Sequence, residues 1–544
     1  MQKRISRFIC ALVIISMLVV CTGCGGSSPA ASQAKSKAPV TAPAAPAGWT
    51  EADASETFVY HASQAVSSLD AWAATSNNTG VAMRYLLFDP VVCTNEKGEI
   101  IPWLAESWEM ADDYSSITFH LRDDIYFTNG ELLTAEDLVF SFERLRDDTE
   151  NLAEAVVKGW RQYLGELEAL DQFTFKMNFS QTMPQFWDLI TSPNVTVINK
   201  AAYQEMGYDE FWKKPVGTGP YVVASWDAPN CILNATLRTD ENGYWGYRAT
   251  NTYTNVKDIV IRSSPEGQTR IASLRAGEVQ MIDTIPVSEK STLDNDGFHT
   301  EVLNPTNTVF LQVSSGKSDI FADQKLREAL SLCIDRELIV QTLLDGFAIP
   351  ITWPAYEGQL GYLDEHPIKY DPEKAKQLVA ESGYNGEPLD FIFTASTINI
   401  GNELSQAIQS MAADVGINLV IRPLEVAVYD EARANHDFDL VIASIGVSRN
   451  MWYKTQAEVI GNDRFNTGFQ DETLKALGKS LQNVMDENEA DKIFKEMFAI
   501  ETTEFNPNIY LYWPTIISAW DAYVTGINYH ALQIPDLHAV VITK

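Results

Sequence analysis

Basic residues are in short supply in this chain of 544 residues: 40 Lys and Arg stand against 73 Asp and Glu, a formal net charge of −33. That surplus argues against nucleic acid as a partner and against direct adhesion to anionic lipid, because both are polyanions. Cysteine is scarcer still, with six in all, of which only Cys93, Cys231 and Cys333 lie beyond residue 24. Three cysteines make at most one disulfide, so the fold must rest on its core. No apolar run after residue 24 is long enough to cross a bilayer. The seven histidines (His61, His120, His299, His366, His436, His530 and His538) are scattered without a metal-ligand spacing. There is no His-Glu-x-x-His, Gly-x-Ser-x-Gly, paired Cys-x-x-Cys or phosphate loop ending in Gly-Lys-Ser/Thr. No catalytic residue, metal or cofactor is therefore expected, and the chain is not read as an enzyme.

What is present begins with Lys3, Arg4 and Arg7, an uncharged apolar run from Phe8 to Val20, and then Cys21-Thr22-Gly23-Cys24. A charged start, a short apolar stretch and a small residue before cysteine make an export signal, residues 1–23. The Thr22-Gly23-Cys24 end resembles a lipobox, which implies acylation of Cys24 and anchorage to the cell membrane; Cys21 stands where leucine is usual. Loss of residues 1–23 removes three basic and no acidic residues and takes the net charge to −36. From Gly25 to Pro46 the chain is almost wholly Ala, Ser, Pro, Lys and Gly. That composition offers too little apolar surface to offset chain entropy, so residues 24–50 are expected to be a disordered tether. The remainder exceeds one core's worth, and two or three domains are expected.

Along that body, Ile117, Phe119 and Leu121 alternate as in a half-buried strand. Thr134 with Asp137 three residues on, ahead of Leu138, Val139 and Phe142, marks a capped helix. Leu326, Ala329, Leu330, Cys333 and Ile334 form a helical stripe behind Asp323, and Asp371-Pro372 opens another helix. Strand and helix then alternate: Leu389–Ala395, a helix bearing Leu404, Ile408 and Met411, Ile417–Ile421, and Phe438–Ala443. This alternation predicts a mainly parallel sheet with helices packed on it in the C-terminal half. Gly217-Thr218-Gly219-Pro220 reads as a tight turn into a strand rather than a nucleotide loop, since proline follows and no helix opens there.

The run Pro102–Trp108, then Ile117–Arg122, then Phe127–Ser141 resembles the signature of the family 5 solute-binding proteins, the oligopeptide, dipeptide and nickel-type receptors of ABC importers. Pro215–Tyr221, Leu326–Leu330 with Ile334–Arg336, and Tyr370–Pro372 with Ala375, Leu378 and Gly383 match in the same order. The resemblance covers essentially the whole mature body. It implies an α/β fold: a two-lobed periplasmic-binding-protein-like receptor of three domains (type II, cluster C-like), with mixed sheets flanked by helices. Domain I, in lobe 1, would comprise residues 51–92, 200–306 and 505–544; domain II, an insertion in lobe 1, 93–199; domain III, lobe 2, 307–504. Trp103, Leu104, Trp108, Phe119 and Leu121 of the signature are read as core and turn residues by their spacing.

The function implied is capture of a peptide or peptide-like solute between the lobes by a monomer, and delivery to an ABC permease and ATPase complex. By resemblance the ligand would be lined by Asp70 and Trp72, by Thr306 and Asn307, by Ser448, Arg449 and Trp452 in the loop after Phe438–Val441, and by Tyr512 and Trp513. Peptide receptors of this family commonly carry an acidic residue in that loop; here Ser448 stands in its place, Arg449 is adjacent and Ile445 replaces the usual aromatic. Arg449 with Ser448 suits a carboxylate or phosphate instead. This departure keeps open a receptor for a metal chelate, an opine-like compound or an oligosaccharide; a transporter-independent surface sensor on the same fold is a further alternative.

Overall fold

The computed structural model describes residues 44–73, 78–95, 99–192, 194–303, 307–356, 359–363, 369–394, 400–446, 468–469, 471–505, 508–530 and 533–543. All lie in the unit Val40–Lys544. The export signal, Cys24 and most of the tether fall outside them.

Three larger sheets organise these residues. The first has seven strands, in the order His299–Leu303, Ile516–Trp520, Met281–Ile282, Glu56–Ala62, Val256–Ser263, Ile232–Leu237, Tyr221–Asp227. Its central strand Glu56–Ala62 runs parallel to Val256–Ser263 and Met281–Ile282. Alternation sends Phe58 and Tyr60 into the largest core, while Val59 packs toward Ile271, Leu274 and Ile517 on the opposite face. The turn at Gly217–Pro220 leads into Tyr221–Asp227 as expected. A Cβ on Gly217 would sit 2.1 Å from the Leu87 carbonyl oxygen and one on Gly219 2.5 Å from that of Leu86. Only glycine tolerates so close an approach of the helix Asn78–Leu87.

The second sheet, antiparallel throughout, orders Ala105–Met110, Ser116–Leu121, Thr174–Phe179 and Leu164–Asp171. Ile117, Phe119 and Leu121 are buried and their neighbours half-buried, as the alternation predicts. The helix Ala135–Asp147 begins where expected: the Asp137 carboxylate accepts from Thr134 N at 3.0 Å and Thr134 Oγ1 at 2.9 Å. Trp103 and Trp108 pack half-buried against the core that holds Leu104. That core runs unbroken from Phe58 and Tyr60 to Phe119 and Phe175, so the first two sheets share one apolar interior.

The third sheet orders Ala348–Pro350, Asn508–Pro514, Asn307–Val313, Leu440–Gly446, Leu389–Phe393 and Leu419–Pro423. The last three are parallel, with the helices Gly401–Asp414 and Val426–Ala434 as crossovers. The sheet as a whole is nevertheless mixed rather than mainly parallel. The reason is chain traffic between sheets. His299–Leu303 passes directly into Asn307–Val313, and Asn508–Pro514 returns directly into Ile516–Trp520. These passes lie side by side in opposite directions in both sheets, so their pairings are antiparallel. The same path moves the division drawn at residue 505: Asn508–Pro514 belongs to the third sheet, and only from Ile516 does the C-terminal piece join the first.

Helix starts follow the sequence. Asp323 accepts from Lys325 N and Asp371 from Lys374 N, both at 2.8 Å. Cys333 is a buried member of the third sheet's core, and Cys93, Cys231 and Cys333 are free thiols.

Candidate ligand-binding site

The strand Asn508–Pro514 carries a bulge that decides which of its aromatics faces where. Val309 pairs with Tyr512 but the next residue, Phe310, pairs with Tyr510, leaving Leu511 extra. Simple alternation would put Tyr510 and Tyr512 on one face. With the extra residue, Leu511 and Tyr512 join the core under the parallel strands, whereas Tyr510 and Trp513 join Phe310, Ile351, Ala443 and Ile445 on the other face. Tyr512 is thus a core residue, 2% exposed, and its reading as a ligand contact is corrected. Burial raises its phenol pKa well above the ordinary value.

Thr308 shares the Trp513 face, two residues from Phe310 and opposite Ile445. Thr308 is fully buried and Trp513 4% exposed, yet Thr308 Oγ1 and Trp513 Nε1 have no hydrogen-bond partner among the described residues. An unpaired buried polar atom costs about 1–3 kcal/mol. Two such atoms on one face, beside the Tyr356 ring packed edge-on to Trp513 at 5.6 Å, form a surface with open valences. The hydroxyl donates or accepts and the indole only donates, so together they suit a carbonyl or carboxylate oxygen. Asn307 lies exposed at the same end, paired with Gly446, where the strand Leu440–Gly446 leaves the sheet. Thr306, Ser448, Arg449 and Trp452 lie outside the described residues.

Asp70 and Trp72 are elsewhere and already engaged. The Asp70 carboxylate, 1% exposed, is ion-paired with Arg144 Nη2 on the helix Ala135–Asp147 and accepts from Trp72 N at 3.1 Å. The Arg144 guanidinium lies within 5.3–5.8 Å of the ring centroids of Trp72, Tyr203, Tyr208 and Trp212. Burial works against its charge, but the Asp70 carboxylate and the Tyr203 hydroxyl outweigh that and hold its pKa above the ordinary value. Ala153 N closes on the Trp72 carbonyl at 2.8 Å. Both residues fasten the 51–92 segment to the inserted one. Trp353 donates its indole N–H to Gly361 O at 2.8 Å within the cluster around Phe494 and Phe498. Thr308 lies in the strand entry Thr306-Asn307-Thr308 that the resemblance implies as ligand lining, whereas Tyr356 is not named by the sequence reading. Period-two alternation from Phe310 points to Thr308, but nothing local marks Tyr356.

Open hydrogen-bond valences on an aromatic face suit recognition of a ligand oxygen. Residues 99–454 match the family described as "Bacterial extracellular solute-binding proteins, family 5 Middle", and the chain belongs to that family. It is 26% identical over 386 residues to the periplasmic oligopeptide-binding protein OppA of Salmonella typhimurium, across 66% of this chain and 68% of that one. The glutathione-binding protein GsiB of Escherichia coli is 27% identical over 326 residues, across 59% of this chain and 60% of that protein. Among solved structures, the ABC transporter substrate-binding protein CtaP of Listeria monocytogenes superposes with a TM-score of 0.81 over 90% of this chain and 100% of its own, at 17% identity. That last likeness concerns the fold. The relatives are substrate-binding proteins, and the chain is one of the family 5 solute-binding proteins of ABC importers, extracytoplasmic and not an enzyme.

Proposed function

We propose that this chain captures a peptide or peptide-like solute between two lobes and delivers it to an ABC permease and ATPase complex, while tethered to the cell membrane through a lipidated Cys24. Lobe 1 joins the first and second sheets, and lobe 2 is built on the third. The observation that carries the reading is the pair of buried, unpartnered polar atoms, Thr308 Oγ1 and Trp513 Nε1. They sit where the strands Asn307–Val313 and Leu440–Gly446 run into the segments holding Thr306 and Ser448, Arg449 and Trp452. A peptide carbonyl or terminal carboxylate supplies the acceptor that the indole lacks, and Arg449 supplies a charge for an anionic group. Closure follows when one ligand touches both lobes, because its differential affinity for the closed form sets the hinge equilibrium.

Calorimetry of the mature chain against pools of short peptides tests this: saturable binding that weakens on Trp513→Phe is expected, and no heat from any peptide pool defeats it. The absence of a carboxylate from residues 443–452 favours, as second reading, an anionic chelate or opine-like solute. Native mass spectrometry of protein purified from its host, reading the co-purified mass, separates the two. Mass spectrometry of the mature N-terminal peptide checks the anchor; an unmodified terminus at a residue other than Cys24 refutes it.

A further inference from the structure

A cavity of about 440 Å³ lies on the lobe 1 side, between the helix Asn78–Leu87, the paired strands Val92–Thr94 and Ile100–Pro102, and the C-terminal strands Asn528–Tyr529 and Pro535–Asp536. None of its described lining residues comes from the third sheet. That volume falls within the range of small-molecule sites. Its lining mixes apolar groups, Trp103, Pro90, Ile101 and the Tyr85 ring stacked on His530 at 3.9 Å, with polar side chains.

The polar groups in it are of two kinds. His538 is fully committed: Nε2 lies 2.5 Å from the Tyr85 carbonyl oxygen and Nδ1 lies 3.2 Å from Asp536 Oδ1. The same Oδ1 also accepts from His538 N at 3.0 Å. His530 Nε2 is buried without a hydrogen-bond partner among the described residues, and both contacts of Asp536 with His538 fall on Oδ1, which leaves Oδ2 for another donor. Burial, reinforced by His538 and opposed by Asp536, lowers the His530 pKa, so its ring is neutral near pH 7 and one nitrogen is an acceptor. Behind the Trp103 wall sits Asp89, whose carboxylate accepts from the neutral donors Trp103 Nε1, Thr218 Oγ1, Tyr244 Oη and Trp245 Nε1 at 2.7–3.1 Å. Asp89 and Asp536 thus set two carboxylates beside the cavity, with the Arg122 guanidinium next to Trp103 and Trp245. Burial first, then Asp89 and Asp536, push the Cys93 thiol up to about 12. No group of three His, Cys, Asp or Glu able to hold a metal ion occurs among the described residues.

We propose that this cavity is a second small-molecule site, separate from the solute site on the third sheet, for a compact organic cation: a flat apolar body bearing an ammonium or amidinium donor. The body lies between Trp103 and Tyr85, an N–H donates to Asp536 Oδ2 in a charge-assisted bond, and a second N–H reaches His530 Nε2. Because the third sheet contributes nothing, occupancy does not require the lobes to close.

Calorimetry of the mature chain with tryptamine at neutral pH tests the assignment, with indole-3-acetate as the same ring carrying the opposite charge. One saturable site for tryptamine is expected, with a Kd below about 1 mM, and at least tenfold weaker binding of indole-3-acetate. Asp536→Asn should weaken tryptamine about tenfold or more, and Cys93→Trp, which fills the cavity and leaves Asp536 in place, should abolish it. Peptide binding should persist in both variants. The proposal is overturned if tryptamine gives no saturable heat, if indole-3-acetate binds as well, if folded variants bind tryptamine unchanged, or if a peptide that saturates the solute site displaces it. Failure of the transport reading would appear instead as an absence of peptide binding and leaves the tryptamine titration readable.

Discussion

Two buried polar clusters in this protein differ at their centres: one is built on a paired charge, the other on polar atoms without partners among the described residues. Around Arg144, Asp70, Tyr203 and four aromatic rings satisfy the guanidinium inside a junction between chain segments. Around Thr308 and Trp513 the surroundings are as buried and as aromatic, yet two polar atoms lack partners. In the first cluster the Arg144–Asp70 pair gains nothing from a ligand, because each charge already has its counter-charge, although Trp212 Nε1 at its edge has no hydrogen-bond partner among the described residues. The second gains from any molecule that supplies an acceptor for the indole and a partner for the hydroxyl. Equal burial thus has opposite meanings, and whether the central group is already paired tells fastening from recognition.

The largest expected effect breaks the paired charge. Arg144→Met leaves Asp70 buried without its cation, and removal of one partner of a buried pair costs about 3–5 kcal/mol. Urea denaturation should show that loss, with solute affinity of the remaining folded protein little changed; a cost under about 1 kcal/mol would mean that the pair is dispensable. Next, Arg449→Ala should weaken the native solute about tenfold, about 1.4 kcal/mol, and leave the melting temperature of the ligand-free protein nearly unchanged. Unaltered affinity by calorimetry would place Arg449 away from the ligand.

Thr308→Val sharpens the contrast with a smaller effect of reversed sign. It replaces an unpaired buried hydroxyl by a methyl group, so the ligand-free protein should gain up to about 1 kcal/mol while solute binding weakens. A loss of stability would show that the hydroxyl is already satisfied. The smallest effect is a pH dependence in the first sheet. Burial first, then Arg262 and Arg270, lower the His61 pKa to about 4. The unfolded chain therefore binds the proton more readily, and this contribution to stability is complete above pH 6.5 and is lost as pH falls toward 4. In His61→Gln the slope of stability against pH between 6.5 and 4 should flatten; an identical slope would assign it to other groups.

Much of the framework was legible along the chain because it rests on local rules. The Ser116–Leu121 alternation, the Thr134 capping box, the Asp371-Pro372 helix start and the Gly217–Pro220 turn each follow from neighbours within a few residues. The family resemblance was legible for the same reason, since its segments are contiguous runs. Site residues were less so. Asp70 looked like a ligand group until Arg144, far along the chain, proved to claim it. Tyr512 looked equivalent to Tyr510 by alternation until the bulge at Leu511 put them on opposite faces and set Trp513 on the Tyr510 side.

The sequence by itself determined the elements, their caps and turns, the acidic balance and the membership of a receptor family, because periodicity, composition and contiguous motifs act over short chain distances. Only the tertiary structure decided that the third sheet is mixed, that Asn508–Pro514 belongs to it, and that Thr308 and Trp513 are left without partners. Strand direction and hydrogen-bond satisfaction depend on which distant segments come together, and no local pattern encodes that meeting.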